Sequence, residues 1–280
     1  MTKYTATAIT TEYWKPGENY LQKIITHTKD KLANGDIIVI SEKALAVATN
    51  HITDESCIKP SLNARLIAQL WMRIVWAHIL GPMCHFSTKL LKNLEEYPLQ
   101  EGAKHKQVAL TYTDPLQALM FGSEGGIDGS NLPYSFVSLP LENADRLAIE
   151  MHDIIKLRLQ KETCVMITDT DKTYSFHGFN WTPRPTFIRT IHHFGGFFAY
   201  VAGRTLRFKR RSTPIAIAGC KLDDEDALRI AEVANRTRGH GAGRNVWEMA
   251  ENFGASLSEV TWEMLDGVKH KPIVIVRPKR

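Results

Sequence analysis

The chain has no long uncharged apolar run. Its longest apolar stretch, residues 62–80, contains Arg65, Gln69, Arg73 and His78, so spanning a bilayer would bury two charges. A buried amphipathic helix is expected there, and no membrane partner. Cysteine is scarce: Cys57, Cys84, Cys164 and Cys220 lie far apart with no C-x-x-C pair, which excludes zinc-ribbon and thioredoxin-type sites. Cys164 opens one apolar run and Cys220 closes another, so buried, reduced thiols and a reducing compartment are expected. Two motifs are also missing. Without G-x-x-x-x-G-K-[ST] there is no P-loop, and without G-x-S-x-G there is no hydrolase nucleophile elbow. Cys84-His85 and His192-His193 lack the spaced partners of a zinc site. Neither a leader nor a lipidation motif is visible over residues 1–9, so a cytoplasmic chain is expected. No internal repeat or low-complexity tract is present.

What is there suits a globular protein. The 280 residues are 44% hydrophobic, enough for a sizeable core, and 23% charged, which argues against disorder. A net charge of +5 favours anionic small molecules without requiring nucleic acid, and no nucleic-acid partner is expected.

Residues 18–32 have helical spacing and end at Asn34-Gly35. Residues 36–41 form a short apolar run, expected to be a buried strand. Residues 63–80 read as a helix stopped by Gly81-Pro82, and residues 86–106 as helix and then loop. Residues 107–122 read as a strand, a turn at Asp114-Pro115 and another apolar stretch. Residues 143–159 are an amphipathic helix with Asn143 at its N-cap. A strand over residues 164–168 carries Asp169-Thr-Asp171 at its C-terminal end. Residues 204–209 alternate like a half-exposed strand, 214–218 are a buried strand, 223–235 a helix and 272–276 a closing strand. This alternation favours a mixed α/β or α+β fold. A boundary near residue 200 separates a main α/β domain (1–200) from a C-terminal α/β segment (201–280) that completes the site.

Four constellations could carry chemistry. Gly125-Gly-Ile-Asp128-Gly-Ser-Asn131 sets a carboxylate between glycines, where backbone can approach a ligand; an Asx turn would use the same residues. Asp169-Thr170-Asp171 follows a buried strand, where ligands bind in open α/β sheets, though solvated turns also carry aspartates. Asp128 is likewise expected after a strand, so the two carboxylates could meet at one divalent cation. The loop Arg238-Gly-His-Gly-Ala-Gly-Arg244 could offer backbone N–H groups to phosphate, or be a plain interhelical loop. The basic run Arg204, Arg207, Lys209, Arg210 and Arg211 could hold a polyanion or face solvent.

Gly35-Asp-Ile-Ile-Val-Ile-Ser-Glu-Lys43, Gly126-Ile-Asp-Gly-Ser-Asn131, Val165-Met-Ile-Thr-Asp-Thr170 and Pro272-Ile-Val-Ile-Val-Arg277 together resemble the coenzyme F420-0:γ-glutamyl ligase family in order and spacing. The resemblance implies that family's fold as an intertwined homodimer, and a GTP-dependent ligase adding L-glutamate to F420-0 through an acyl phosphate. It implies two Mg²⁺ or Mn²⁺ ions, with Asp128 and Asp169 as catalytic metal ligands, Thr170 on the second ion and His240 in the place of an acidic ligand. Glu42, Lys43 and Asn131 would lie against the nucleotide, and Gly239, Gly241 and Arg244 would supply its phosphate loop. Departures from the family pattern are Val47 in place of a lysine, His240 in place of a glutamate, and Thr10-Thr-Glu-Tyr13 in place of a Gly-Leu-Pro turn. A two-helix insertion rich in Trp and Met lies between Gly243 and His270. A relative acting on another carboxylate acceptor, or a non-catalytic binding protein, would fit these departures.

Overall fold

The computed structural model describes residues 3–122 and 124–279. Met1 and Thr2, part of the segment read for a leader, lie outside them. The strands are β1 (Tyr4–Thr11), β2 (Ile37–Ser41), β3 (Ile52–Asp54), β4 (Phe136–Ser138), β5 (Cys164–Phe176), β6 (Phe179–Trp181), β7 (Ile191–His192), β8 (Lys209–Ala218) and β9 (His270–Pro278). One sheet runs β1-β9-β2-β5-β6-β7, with β8 also paired to β5; β3 and β4 form a separate ladder. The fold is mixed α/β. The helices are α1 (Tyr20–Thr28), α2 (Glu42–Ala48), α3 (Leu62–Leu66), α4 (Gly81–Met83), α5 (Thr88–Glu95), α6 (Leu99–Tyr112), α7 (Pro115–Ala118), α8 (Ala144–Leu159), α9 (Gly196–Thr205), α10 (Asp224–Arg238), α11 (Val246–Phe253) and α12 (Trp262–Asp266).

β2 and β5 read as continuous apolar runs because both faces are covered. On one face Ile38, Ile40, Val165 and Ile167 pack with Leu147, Met151 and Ile155 of α8. On the other, Ile37, Val39, Cys164 and Met166 pack with Ala227, Ile230 and Ala234 of α10. A second, aromatic core holds Trp76, Phe86, Phe121 and Phe197.

β5 organises the site. β8 takes one of its edges along most of its length, so β2 and β6 share the other. β2 stops opposite Thr168 and the antiparallel β6 ends opposite Tyr174, leaving residues 169–173 unclaimed on that edge. On the β8 side the register shifts between Asp169 and Lys172, so Thr170 and Asp171 are looped out of the ladder.

Several expectations need correction. Residues 107–122 contain no strand: they finish α6 and form α7, with Val108 and Ala109 on a buried helical face. An apolar run this short does not separate the two periods. Residues 204–209 are not a strand either. Arg204 lies in the last turn of α9, Arg207 turns at φ 54° and β8 begins only at Lys209. Residues 86–106 are two helices, α5 and most of α6, rather than helix and loop. Residues 67–80 continue α3 as a π-helix that buries Ala68, Met72 and Trp76 and leaves Leu70 and Ile74 exposed. Asn143 sits at the N-cap of α8, but its side chain makes no capping bond.

The reduced-thiol reading also fails for one pair. Cys164 and Cys220 form a disulfide, because the β5–β8 register sets Val165 opposite Ala218 and brings the flanking cysteines together. Cys84 is a buried free thiol and Cys57 an exposed one. The compartment argument from thiols therefore loses this pair. Among the described residues, no helix is long and apolar enough to cross a membrane.

Candidate active site

Because β2 and β5 are parallel and in register, Glu42 follows Ser41 at the carboxyl end of β2 and Asp169 follows the paired Thr168 inside β5, which runs on to Phe176 instead of ending at residue 168 as expected. Between them lies Arg184, 1% exposed. Its guanidinium donates to Asp169 Oδ2 at 2.5 Å and to Glu42 Oε1 at 2.7 Å. Burial raises the Asp169 carboxyl, but Arg184 outweighs it and holds the group below the usual range. Burial raises Glu42, and Arg184 offsets this only in part. Arg184 was not legible as a site residue. The one local trace is the glycine at 126, where a Cβ would lie 2.7 Å from Arg184 Nη1.

Asp128 does not follow a strand. It lies in the loop before β4, bridged to Ser138, with its Oδ1 accepting from Ser130 N at 2.7 Å. This is the Asx geometry the local sequence allowed. Lys43 pairs with Asp128 and donates to Ser130 O at 2.9 Å and Ser130 Oγ at 2.8 Å, so its three N–H groups are all spent on this loop. Asn131 takes φ 56° and turns its amide to the glycine-rich loop. Its Oδ1 accepts from Ala242 N at 2.6 Å and its Nδ2 donates to Gly243 O at 2.9 Å. Asn131 is thus a clasp between two loops. The amides of His240 and Gly241 have no acceptor among the described residues.

Two cavities meet here. One, of about 430 Å³, is lined by Lys43, Val47, Asp128, Asn131, Asp169, Thr170, Gly239, His240, Gly241 and Arg244, with Lys172, Arg204, Arg238, Lys269 and Lys271. Seven lysines and arginines against three aspartates make it basic. Glu42 is absent from this lining and lies beneath it, on Arg184. The other cavity, of about 330 Å³, has a mainly aromatic and aliphatic lining. They share Gly122, Asp128, Thr170, Asp171, Tyr200 and Arg244. In the basic cavity, burial pushes Arg238 down to about 10 despite Asp169, and its Nε has no hydrogen-bond partner. Burial, with Arg238 and Lys23, pushes His270 down to about 3, leaving a neutral ring with an unpartnered Nε2. An anion would relieve Arg238.

The basic run was only partly placed there. Arg204 lies over the Phe86 and Tyr200 rings at 4.8 and 5.2 Å, while Arg211 pairs with Glu225 at 2.7 Å and Lys209 with the same residue at 3.1 Å.

The oxygen donors at the seam are Asp128, Thr170 and Asp171, which line both cavities, with Asp169 on the basic side alone. Among the described residues, no group of three His, Cys, Asp or Glu side chains is placed to hold a metal ion. Asp128 is engaged by Lys43 and Ser130 N, and Asp169 by Arg184 and Thr170 N, so Mg²⁺ or Mn²⁺ held there with substrate phosphate would share or displace these contacts. The donor set fits a hard cation and no soft one.

Fold and cavities together define a mixed α/β protein with a basic and an apolar chamber meeting at carboxylates. Residues 8–179 match the family described as F420-0:γ-glutamyl ligase. A protein of Methanocaldococcus jannaschii described as uncharacterized is 32% identical over 283 residues, spanning 97% of this chain and 95% of that protein. This chain belongs to the F420-0:γ-glutamyl ligase family, and so to enzymes of ligase type. Asp128, Asn131, Asp169 and Thr170 lie inside the matched segment; the glycine-rich loop and β9 lie beyond it.

Proposed function

We propose that the protein is a GTP-dependent amide ligase that joins L-glutamate to the carboxylate of F420-0 or a related acceptor, using Mg²⁺ or Mn²⁺. The observation that carries this reading is the seam. A cavity rich in cations suits a nucleoside triphosphate, a second cavity suits an acceptor, and both open on Asp128, Thr170, Asp171 and Arg244. Arg238, Lys172 and Arg244, with the free amides of His240 and Gly241, would bind the phosphates. Asp128, Asp169 and Thr170 would hold the metal, with His240 beside them on the loop. When bound, the metal would neutralise charge on the transferring phosphoryl group.

The acceptor carboxylate attacks the γ-phosphorus, and GDP leaves as an acyl phosphate forms. The glutamate amine then attacks the acyl carbon, phosphate departs, and the nitrogen loses a proton as the amide forms. Lys43 and Asn131 act through the loops they hold, and Glu42 through Arg184.

A second reading, a ligase for another carboxylate acceptor, is favoured by Val47 and His240, which line the basic cavity where the family carries lysine and glutamate. A cytoplasmic homodimer goes with either reading; the exposed Leu62, Leu66, Leu70 and Ile74 on α3 and the π-helix offer a face for a second copy. Incubation with F420-0, L-glutamate, GTP and Mn²⁺, followed by mass spectrometry, tests the first reading. A product heavier by one glutamyl residue, with GDP, is expected. Metal-dependent GTP binding without product would shift support to the second.

A further inference from the structure

The glycine-rich loop has little stiffness of its own. Three of the five residues 239–243 are glycines, and backbone without Cβ atoms loses the most conformational freedom when it is ordered. The loop is held from outside. At its start Gly239 N donates to Asn235 O at 3.1 Å, which closes α10. From the side of Asp128, Asn131 takes Ala242 N and Gly243 O.

The remaining outside holds come from α11, which lies beyond the segment matched by the family. Asn252 Nδ2 donates to Ala242 O at 2.7 Å, and Glu248 Oε2 accepts from Arg244 N at 3.2 Å. Met249 offers its sulfur to Asn131 N at 3.1 Å and packs in one cluster with Ala242 and Tyr13. Residues 248, 249 and 252 share one helical face, so a single short helix meets the loop and its clasp at three points. The approach is close: a Cβ on Gly243 would stand 2.5 Å from Met249 N. Asn245 fixes where this helix begins, its side chain accepting from Glu248 N at 2.9 Å.

These holds are selective. Of the six amides from Gly239 to Arg244, four have acceptors: Asn235 O, Asn131 Oδ1, His240 O and Glu248 Oε2. The two left over, those of His240 and Gly241, are adjacent and belong to residues that line the basic cavity. Ala242 is the pivot. Asn131 fixes the peptide plane before it and Asn252 the plane after it. Without the second tether the flanking glycines are free to rotate, and a phosphate would have to order the loop as it binds. We propose that Asn252 is a positioning residue, which through Ala242 holds the loop with the His240 and Gly241 amides presented to a phosphate. The proposal rests on the ligase reading only in naming that phosphate as a nucleotide's.

The test is calorimetry on the full chain with two probes, inorganic triphosphate alone and GTP with Mn²⁺. Asn252 is exposed in the last turn of α11, so Asn252→Ala removes no core and substitutes a stronger helix former. This variant is expected to bind both probes about fivefold more weakly, the worth of one hydrogen bond, with the ligand-free melting temperature no lower than the parent's. Asn252→Gln keeps the amide donor on a longer stem and is expected to recover most of the affinity. Equal affinity in the parent and Asn252→Ala would overturn the proposal. So would a loss that Asn252→Gln fails to recover, a loss that comes with a lower ligand-free melting temperature, or a parent that binds neither probe. Triphosphate binding that depends on Asn252, without any binding of GTP, would remove the ligase reading and leave the role of Asn252 standing.

Discussion

Asn131 and Gly241 occupy each other's space: a Cβ on Gly241 would stand against Asn131 Oδ1, the atom that accepts from Ala242 N. Gly241→Ala should therefore displace the glycine-rich loop as well as carry the cost of an alanine at φ +59°, about 1–2 kcal/mol. Gly239→Ala is the comparison without a clash: nothing lies within 4 Å of its Cβ, and the strain is that of its backbone, φ +78° and ψ −159°, a region essentially confined to glycine. Calorimetric GTP affinity should fall several-fold more for the first variant. Equal losses would show that the clasp has no energetic part in nucleotide binding.

Arg184 serves two buried carboxylates at once. Arg184→Met should leave Glu42 and Asp169 facing each other uncompensated, at a cost of about 3–5 kcal/mol. Arg184→Lys should recover part of this, because an ammonium lacks the planar fork that reaches both acids. Urea midpoints read the difference. A Met variant as stable as the parent would mean the acids are not buried as charges.

Asp128→Asn should abolish the rise in melting temperature that GTP gives in the presence of Mn²⁺, while leaving the melting temperature without ligand nearly unchanged. If the nucleotide-dependent rise survives, Asp128 is no metal ligand.

The sheet strands were legible because burial on both faces leaves an apolar run with no period to mistake, as in Ile37-Ile-Val-Ile40 and Val165-Met-Ile167. The turn at Asp128 was legible because glycines and Asn131 flank it. Residues 107–122 were not, since Val108 and Ala109 form too short a run to tell a helix face from a strand. Arg184 was invisible for another reason. Its partners lie 142 and 15 residues away, and a buried arginine leaves no local pattern of its own. The Cys164–Cys220 bond likewise depends on the β5–β8 register, which the spacing of 56 residues does not reveal.

His105 should give the fold an alkaline limb. Glu55 and Glu124 overcome burial and push its pKa up to about 10 from 6.5, so the folded state holds a proton that the unfolded state releases. Stability from this group is complete below about pH 6.5 and declines toward pH 10, with a slope approaching ~1.4 kcal/mol per pH unit. Denaturant midpoints from pH 6 to 10 should show the decline, and His105→Gln should flatten it. A flat parent profile would contradict the geometry.

Cys220→Ser opens a link between residues 56 apart in sequence. The expected loss is about 2–5 kcal/mol, seen as a lower melting temperature that matches the parent's after reduction. A parent indifferent to reductant would remove the bond from the list of stabilising features.

The two looped-out residues of β5 carry one more consequence. Strand side chains alternate with a period of two, so a single deletion or insertion between Asp169 and Lys172 would reverse every downstream residue of β5 relative to β8. Tyr174 would leave the core and Ser175 would enter it. The segment cannot change in length. In diverging copies of this gene, gaps should fall in the surrounding loops and stay out of these four positions.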